Sequence, residues 1–250
     1  MRTDRGMHDA SLGSLNDSTG HFRSDWPATG PWLPPATIPL VTPTLRTVRT
    51  ELRKAADPRV AASTAKYVPT ARRVYGVRLP ILNALAKDCR SGGFALVEEL
   101  WRAGAYEERL LATKLLGAVA QRDPIRALTF LRNAARDIGD WVICDTIATQ
   151  GMRPVARTHG PELFGLAASL TASKSVWQRR LGIVLLTNFA KRPGSRAAIR
   201  KVLAPLRSDP EPYVRKALMW IDKDLDRGSE PLAASHRDAQ GVRRASVRRF

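Results

Sequence analysis

Residues 139–146, GDWVICDT, combine an aromatic ring and a carboxylate at a helical spacing. If this segment begins a helix, Trp141 and Asp145 lie four residues apart on one helical face. A fixed carboxylate can stabilise a developing positive charge or activate a water molecule, and the face of an indole ring attracts cations. A structural interpretation stays open beside the chemical one, because a tryptophan at helical spacing is more often a core residue. Asp140 suits the N-cap position of this helix better than Asp145 does.

The composition indicates a polyanionic partner. The 250 residues include 41 Lys and Arg against 23 Asp and Glu, a formal net charge of +18. Such a charge favours nucleic acid, with an anionic membrane surface as the second possibility. The membrane alternative is weak, because no apolar run reaches about 18 residues and the N-terminal segment lacks the apolar stretch of a signal peptide. Two cysteines and four scattered histidines disfavour a disulfide framework and a metal cluster, so we expect a cytoplasmic protein without a metal site.

The composition divides the chain into three parts. Residues 1–43, rich in Pro, Gly, Ser and Asp, predict a mostly disordered arm, and residues 227–250 predict a flexible basic tail. The arm has three Arg and four Asp, whereas the tail has six Arg, one Glu and one Asp. The arm thus contributes −1 and the tail +4 to the total of +18, which leaves +15 for residues 44–226. The excess positive charge therefore belongs mainly to the predicted folded domain.

Residues 44–226 show a helical pattern throughout. Apolar residues recur every three or four positions in segments such as FALVEELWRAG, ERLLATKLLGAVA and VWQRRLGIVLLTNFAKR. No alternating strand pattern persists, and pairs that contain Gly or Pro mark breaks at 92–93, 123–124, 160–161, 193–194 and 209–210. We therefore predict an all-α domain of about eleven helices with short connections.

The helical segments contain a repeat. A charged residue lies beside an apolar run at four positions, Arg109, Asp145, Arg180 and Lys216, which are separated by 36, 35 and 36 residues. A period in the mid-thirties with two helices per unit is typical of HEAT or TPR solenoids, in which equivalent positions line one continuous surface. We expect a solenoid of paired antiparallel helices whose concave, basic face carries this row of charges, with a tryptophan near three of them.

Five segments resemble, in order and spacing, the DNA alkylation repair family of AlkD-like DNA glycosylases. They are KYVPTARRVYGVRLPILNALAKD, ELWRAGAYEERLLATKLL, DWVICD, SVWQRRLGIVLL and YVRKALMW, which cover roughly residues 60–226. The resemblance implies a right-handed, all-helical HEAT-like solenoid, in agreement with the period of the repeat. It also implies hydrolysis of the N-glycosidic bond of cationic N3- and N7-alkylated purines in duplex DNA, without a metal or an organic cofactor.

The resemblance also assigns roles to five residues. Asp145 takes the place of the catalytic carboxylate, and Trp141 and Trp220 take the places of aromatic residues that enclose the lesion-bearing nucleotide. Arg180 corresponds to a basic residue that contacts the DNA backbone, and Tyr67 to an aromatic residue at the border of the cleft. The sequence departs from the usual family pattern at Val142, Met219, Asp222 and Asp224, which affects the expected substrate range more than the fold.

A single carboxylate suffices for this chemistry. A cationic alkylpurine leaves as a neutral base and needs no general acid, whereas most glycosidases use two carboxylates. Asp145 would stabilise the oxocarbenium-like sugar and orient the attacking water, and Arg180 would favour its ionised form. Basic residues on the same face would bind phosphates with little sequence preference. The candidates besides Arg180 are Lys66, Arg72, Arg73, Arg109, Arg179, Arg215 and Lys216.

The sequence leaves three alternatives open. The chain could be a non-catalytic DNA-binding solenoid of the same family, or a scaffold that binds an acidic protein on its concave face. A lyase that forms a Schiff base is less favoured, because neither Lys66 nor Lys216 lies in a context that would lower its pKa. We expect a monomer that acts on double-stranded DNA.

Overall fold

The computed structural model describes residues 43–71 and 73–227, so the predicted arm and tail lie outside the described residues except at their inner ends. Within these ranges the chain forms twelve α-helices and no β-strand, which confirms the all-α prediction. The helices are α1 (Leu45–Lys54), α2 (Pro58–Tyr67), α3 (Leu79–Asp88), α4 (Gly93–Ala103), α5 (Tyr106–Val119), α6 (Pro124–Ala134), α7 (Trp141–Thr146), α8 (Arg153–Thr158), α9 (Gly160–Thr171), α10 (Val176–Leu186), α11 (Ser195–Leu203) and α12 (Pro212–Arg227).

An aspartate followed by a proline begins two of these helices. The side chain of Asp57 caps α2 and accepts a hydrogen bond from the backbone amide of Arg59 at 2.9 Å. Asp123 caps α6 in the same way, with the amide of Arg126 at 3.0 Å. The proline occupies the first turn in both helices, where its missing N–H breaks no helical hydrogen bond. The break predicted at 123–124 is therefore the start of a helix.

Five helices form one continuous row, in which each packs against the next: α3, α5, α7, α10 and α12. Helix α4 packs along α5, and α9 packs along α10, which gives the paired arrangement of a helical solenoid. The repeat positions are equivalent in this row. Arg109 is the fourth residue of α5, and Asp145, Arg180 and Lys216 are the fifth residues of α7, α10 and α12. The period in the sequence therefore corresponds to successive helices of one layer.

Two helices of the row approach their neighbours closely at a glycine. A Cβ atom on Gly182 of α10 would lie 2.6 Å from the carbonyl oxygen of Ala167 and 2.8 Å from the backbone nitrogen of Thr171, both in α9. A Cβ atom on Gly117 of α5 would lie 2.7 Å from the carbonyl oxygen of Gln150. Because interiors are close-packed, these helices could not reach their present separation with a larger residue at either position.

Two buried glutamates at the start of α5 hold the segment that joins α2 to α3. Glu107 accepts hydrogen bonds from the backbone amides of residues 75–77 at 2.7 to 3.1 Å. Glu108 accepts hydrogen bonds from Arg49 at 2.7 Å and from Arg73 at 3.1 Å. Burial raises the pKa of Glu108, but its hydrogen bonds, above all that from Arg49, outweigh this effect and hold the pKa below its usual value. Side chains thus satisfy the backbone donors of an irregular segment.

Replacement of Gly182 by alanine tests the close approach of α9 and α10. We expect Gly182→Ala to lower the free energy of unfolding by about 1–3 kcal/mol, because the added methyl group forces the two helices apart. Gly165→Ala in α9 is the matched control, since nothing lies within 4 Å of its Cβ position. Alanine should stabilise the helix there by up to about 1 kcal/mol. Urea denaturation followed by circular dichroism measures both changes, and an unchanged midpoint for Gly182→Ala would contradict the packing argument.

Candidate active site

The first turns of α7 bring Asp145 to the surface of the helical row. Asp140 caps α7 by accepting a hydrogen bond from a backbone amide of the first turn at 2.8 Å. Trp141, the first residue of the helix, is half-buried, and the side chain of Asp145 is 19% exposed. After α7 the chain continues as a π-helical segment, Ile147–Gly151. Such segments are rare and frequently lie at functional sites.

Asp145 forms a bidentate ion pair with Arg180 of α10. The Nε atom of Arg180 donates to Oδ1 of Asp145 at 3.0 Å, and its Nη2 atom donates to Oδ2 at 2.7 Å. The remaining nitrogen, Nη1, donates to the carbonyl oxygen of Tyr213 in α12 at 2.6 Å. The guanidinium group is buried, with 7% of the side chain exposed. One side chain therefore links three successive helices of the row and orients the carboxylate.

Burial and the guanidinium group act on Asp145 in opposite directions. Burial raises the pKa of Asp145 above its usual value, and the hydrogen bonds and positive charge of Arg180 oppose that rise. Burial likewise raises the pKa of Asp140, and the negative charge of Asp145 adds to that effect. A carboxylate that accepts two hydrogen bonds from one guanidinium group is held as the anion. The site thus contains one oriented negative charge in a poorly solvated position.

Helices α10 and α12, which Arg180 connects, also carry aromatic side chains. The rings of Trp177 and Tyr213 pack with their centroids 4.8 Å apart. Trp220 lies seven residues after Tyr213, and this spacing places both on one face of α12. Trp220 is half-buried against the core, and its Nε1 atom has no hydrogen-bond partner among the described residues. The neighbouring Met219 is 60% exposed, so this part of α12 presents apolar surface to the solvent.

The loop that follows α2 contacts the loop that precedes α7. The hydroxyl group of Thr70 donates to the carbonyl oxygen of Gly139 at 2.9 Å, one residue before the cap of α7. Lys66 and Tyr67, the last two residues of α2, are exposed, and Tyr67 is 63% exposed. The structure thus brings the segment that carries Tyr67 towards the helix that carries Asp145.

Besides Arg180, two of the cations predicted to bind DNA are engaged within the protein and are not exposed. Arg179 forms an ion pair with Asp209 at 2.7 Å, in which both side chains are largely buried. Arg109 donates to the carbonyl oxygen of Asp137 at 3.0 Å, and its guanidinium carbon lies 5.1 Å from the ring centroid of Trp101. These contacts connect neighbouring helices and leave little of either guanidinium group for a phosphate.

Four other predicted cations are exposed: Lys66, Arg73, Arg215 and Lys216. Arg73 also pairs with Glu108, and its side chain remains 53% exposed. Arg215 donates to the carbonyl oxygen of Pro210. In the described part of the chain, the side chains of Lys66 and Lys216 form no hydrogen bond or ion pair. Arg72 lies outside the described residues. The exposed cations are those whose charge is available to a partner.

Tyr213 belongs to the site although the sequence did not predict it there. Its carbonyl oxygen binds Arg180, and its ring packs on Trp177. Every residue type has a backbone carbonyl, so this contact with Arg180 could not be predicted from the residue type at position 213. The repeat did contain a signal, however, because Trp177 and Tyr213 each lie three residues before a repeat position, Arg180 and Lys216 respectively.

No group of three or more His, Cys, Asp and Glu side chains in the described part of the chain is arranged to hold a metal ion. No described helix has the length and apolar character that crossing a membrane would require.

Comparison with known families gives one match. The family described as DNA alkylation repair enzyme matches residues 48–230, well over half of the chain, and this stretch includes the whole helical row. No curated protein matches the chain.

Removal of the guanidinium group tests its role as partner of the buried carboxylate. Arg180→Leu should lower the free energy of unfolding at pH 7 by about 3–5 kcal/mol, because Asp145 stays buried without a counterion. Without the guanidinium group, the folded-state pKa of Asp145 rises further above its unfolded value. The loss of unfolding free energy should therefore diminish as the pH falls towards the usual Asp pKa of about 4, because the carboxyl group of the folded protein becomes protonated. Urea denaturation at neutral and mildly acidic pH measures this dependence.

The double variant Arg180→Leu, Asp145→Asn is the control for that measurement. Without the carboxylate no charge is buried, so it should recover most of the lost stability and lose the pH dependence. An equal loss in the single and double variants would show that Arg180 contributes packing alone.

Proposed function

The chain belongs to the family of DNA alkylation repair enzymes, and on this premise we propose that it is a monofunctional DNA glycosylase for cationic N3- and N7-alkylated purines in duplex DNA. The observation that carries the proposal is the carboxylate of Asp145, which Arg180 holds in a bidentate ion pair at a partly exposed position. The enzyme would act as a monomer on DNA in the cytoplasm, without a metal or an organic cofactor.

The geometry of Asp145 suits the stabilisation of a positively charged sugar. As the bond to the alkylated base breaks, the base departs as a neutral molecule and positive charge develops on the sugar ring. A preorganised carboxylate close to that charge lowers the barrier, since it needs no reorganisation and lies in a poorly solvated site. Each oxygen of Asp145 accepts one hydrogen bond from Arg180, so further lone pairs remain to orient or deprotonate a water molecule.

Arg180 acts in this proposal as a positioning residue. All three of its nitrogens donate hydrogen bonds inside the protein, and its side chain is only 7% exposed. This arrangement supports a role through Asp145 in preference to the direct phosphate contact that the family resemblance implied. By pairing with the carboxylate, the guanidinium group keeps it ionised despite burial and fixes its orientation.

The tryptophans would bind the cationic nucleotide. Trp141 lies on the same helical face as Asp145, and Trp220 lies on the face of α12 that carries Tyr213. An indole face attracts a cation with about 0.5–2 kcal/mol, which favours a positively charged base over a neutral one. Lys66, Arg215 and Lys216, which are exposed, would contact phosphates and supply affinity that is independent of sequence.

Two other functions fit part of the same observations. A non-catalytic DNA-binding member of the family would use the same basic surface, and the oriented carboxylate of Asp145 is the feature that disfavours it. A scaffold for an acidic protein would need the exposed cations but not the ion pair between Asp145 and Arg180. Release of a base from methylated DNA separates the proposed function from both.

Asp145→Asn tests the catalytic assignment. We expect the variant to bind methylated duplex DNA as the wild type does and to release 7-methylguanine about 10²–10³-fold more slowly, because the amide cannot stabilise the cationic sugar. Chromatographic detection of the freed base under single-turnover conditions gives the rate, and fluorescence anisotropy gives the affinity.

Asp140→Asn is the matched control, since it neutralises a second partly buried carboxylate five residues away. Asparagine caps a helix as well as aspartate does, so α7 should be retained. Its rate of base release should stay close to that of the wild type. Undiminished release by Asp145→Asn would refute the assignment, and a wild-type protein that binds DNA without base release would favour the non-catalytic alternative.

A further inference from the structure

A second concentration of positive charge lies beyond the candidate active site. A cavity of about 700 Å³ opens between α3, α5 and α8. Six cationic side chains line it, and no acidic residue does: Lys87, Arg90, Lys114, Arg122, Arg153 and Arg157. We call this cavity, with its six cations, the basic basin.

The cations of the basin differ from the two largely buried arginines of α10, which have acidic partners. Arg180 pairs with Asp145, and Arg179 pairs with Asp209. In contrast, none of the six basin side chains forms an ion pair in the described part of the chain. Six unneutralised positive charges around one cavity repel each other. An anion in the cavity would relieve that repulsion.

Lys114 is the one cation of the basin that is not exposed. It is half-buried in α5, and burial lowers the pKa of its ammonium group. The hydrogen bond that its Nζ atom donates is long, 3.4 Å to the side-chain oxygen of Gln150 in the π-helical segment. Gly117, one turn along α5, lets the backbone at Gln150 come close and form the wall of the cavity. A partly desolvated cation with one weak neutral partner is suited to bind an anion.

The basin and Asp145 share one face of the chain from α7 to α8. Asp145 and Thr149 are half-buried, and Arg153 and Arg157 are exposed, at successive spacings of four residues. Most residues between them are buried in the core, so these four side chains form one stripe, which is half-buried at Asp145 and exposed at Arg157. At about 1.5 Å per residue, Arg153 lies on the order of 10 Å along the stripe from Asp145.

The lining of the basin favours a nucleic-acid backbone over a protein partner. Its walls, apart from the cations, are made of small or polar residues such as Ala86, Ala118 and Gln150, with no aromatic side chain. Protein interfaces draw their energy from aromatic and other large anchors in well-packed pockets. Guanidinium groups instead match the geometry of phosphate oxygens and bind them bidentately.

We propose that the basic basin binds the phosphodiester backbone of the same DNA duplex, a few nucleotides from the lesion that Asp145 faces. The proposal rests on the proposed function of the Asp145 site. The phosphates of one strand follow each other at about 3.4 Å along the duplex axis, so a backbone that passes Asp145 reaches the basin within a few nucleotides. The basin thereby fixes the register of the duplex against the active site.

The double variant Arg153→Gln, Arg157→Gln tests this proposal in the full-length protein. Its affinity for an undamaged duplex is measured by fluorescence anisotropy over a series of KCl concentrations. Loss of two phosphate contacts should reduce the slope of log Kobs against log[KCl] by about 1.8 and weaken binding at low salt. Both side chains are exposed and have no ion-pair partner among the described residues, so the thermal midpoint of unfolding should not change.

Arg132→Gln, Arg136→Gln is the matched control. It removes the same charge from two exposed arginines at the end of α6, a helix outside the row. We expect this control to keep the wild-type salt slope. Equal slopes for the wild type and the basin variant would overturn the proposal. A basin variant that loses binding of inorganic pyrophosphate but keeps the wild-type salt slope for DNA would also overturn it. The basin would then be a site for small anions.

The two proposals can fail separately. If the wild type releases no alkylated base but the basin variant shows the reduced slope, the basin is supported and the glycosylase function is refuted. If the wild type releases the base and the slopes are equal, the glycosylase function stands and the basin proposal falls.

Discussion

The bidentate ion pair between Asp145 and Arg180 is the interaction on which the proposed site depends. A carboxylate this deeply placed is stable as an anion only with a counterion at close range. Arg180 provides that counterion from α10 and uses its remaining nitrogen to bind the carbonyl oxygen of Tyr213 in α12. These hydrogen bonds form only if α7, α10 and α12 keep nearly fixed distances from one another. The packing of α10 against α9 at Gly182 is one of the contacts that hold α10 in place.

The distribution of charge in the domain follows from the same need of a buried charge for a counterion. Inside the domain, several arginines are matched by acids, as in the pairs of Arg179 with Asp209 and Arg49 with Glu108. The excess charge of the folded domain is therefore left on surfaces, such as the exposed Lys66 and Lys216 and the basic basin. Compensated charges stabilise the arrangement of helices, whereas uncompensated charges are available to a polyanion.

Part of this distinction between paired and unpaired charges could be predicted from the sequence. The period that relates Arg109, Asp145, Arg180 and Lys216 is a local property of each helix start, and the structure places all four at equivalent positions of one row. The function of each cation could not be predicted in the same way. Arg179, adjacent to Arg180 and equally basic, binds an acid in the loop before α12. The basic basin could not be predicted from the sequence, because its six cations come from four separate segments.

The sequence by itself determined the all-α class, the positions of the main helix breaks and the spacing of the repeat. These depend on interactions within a few residues, namely caps, prolines and the recurrence of apolar side chains along one helix. Only the tertiary structure decided that Arg180 is a partner of Asp145, that Arg109 lies over Trp101, and that the basin has no acid in its lining. The physical reason is that an ion pair requires two side chains to meet within about 4 Å. Whether residues some 35 positions apart do so depends on how whole helices pack.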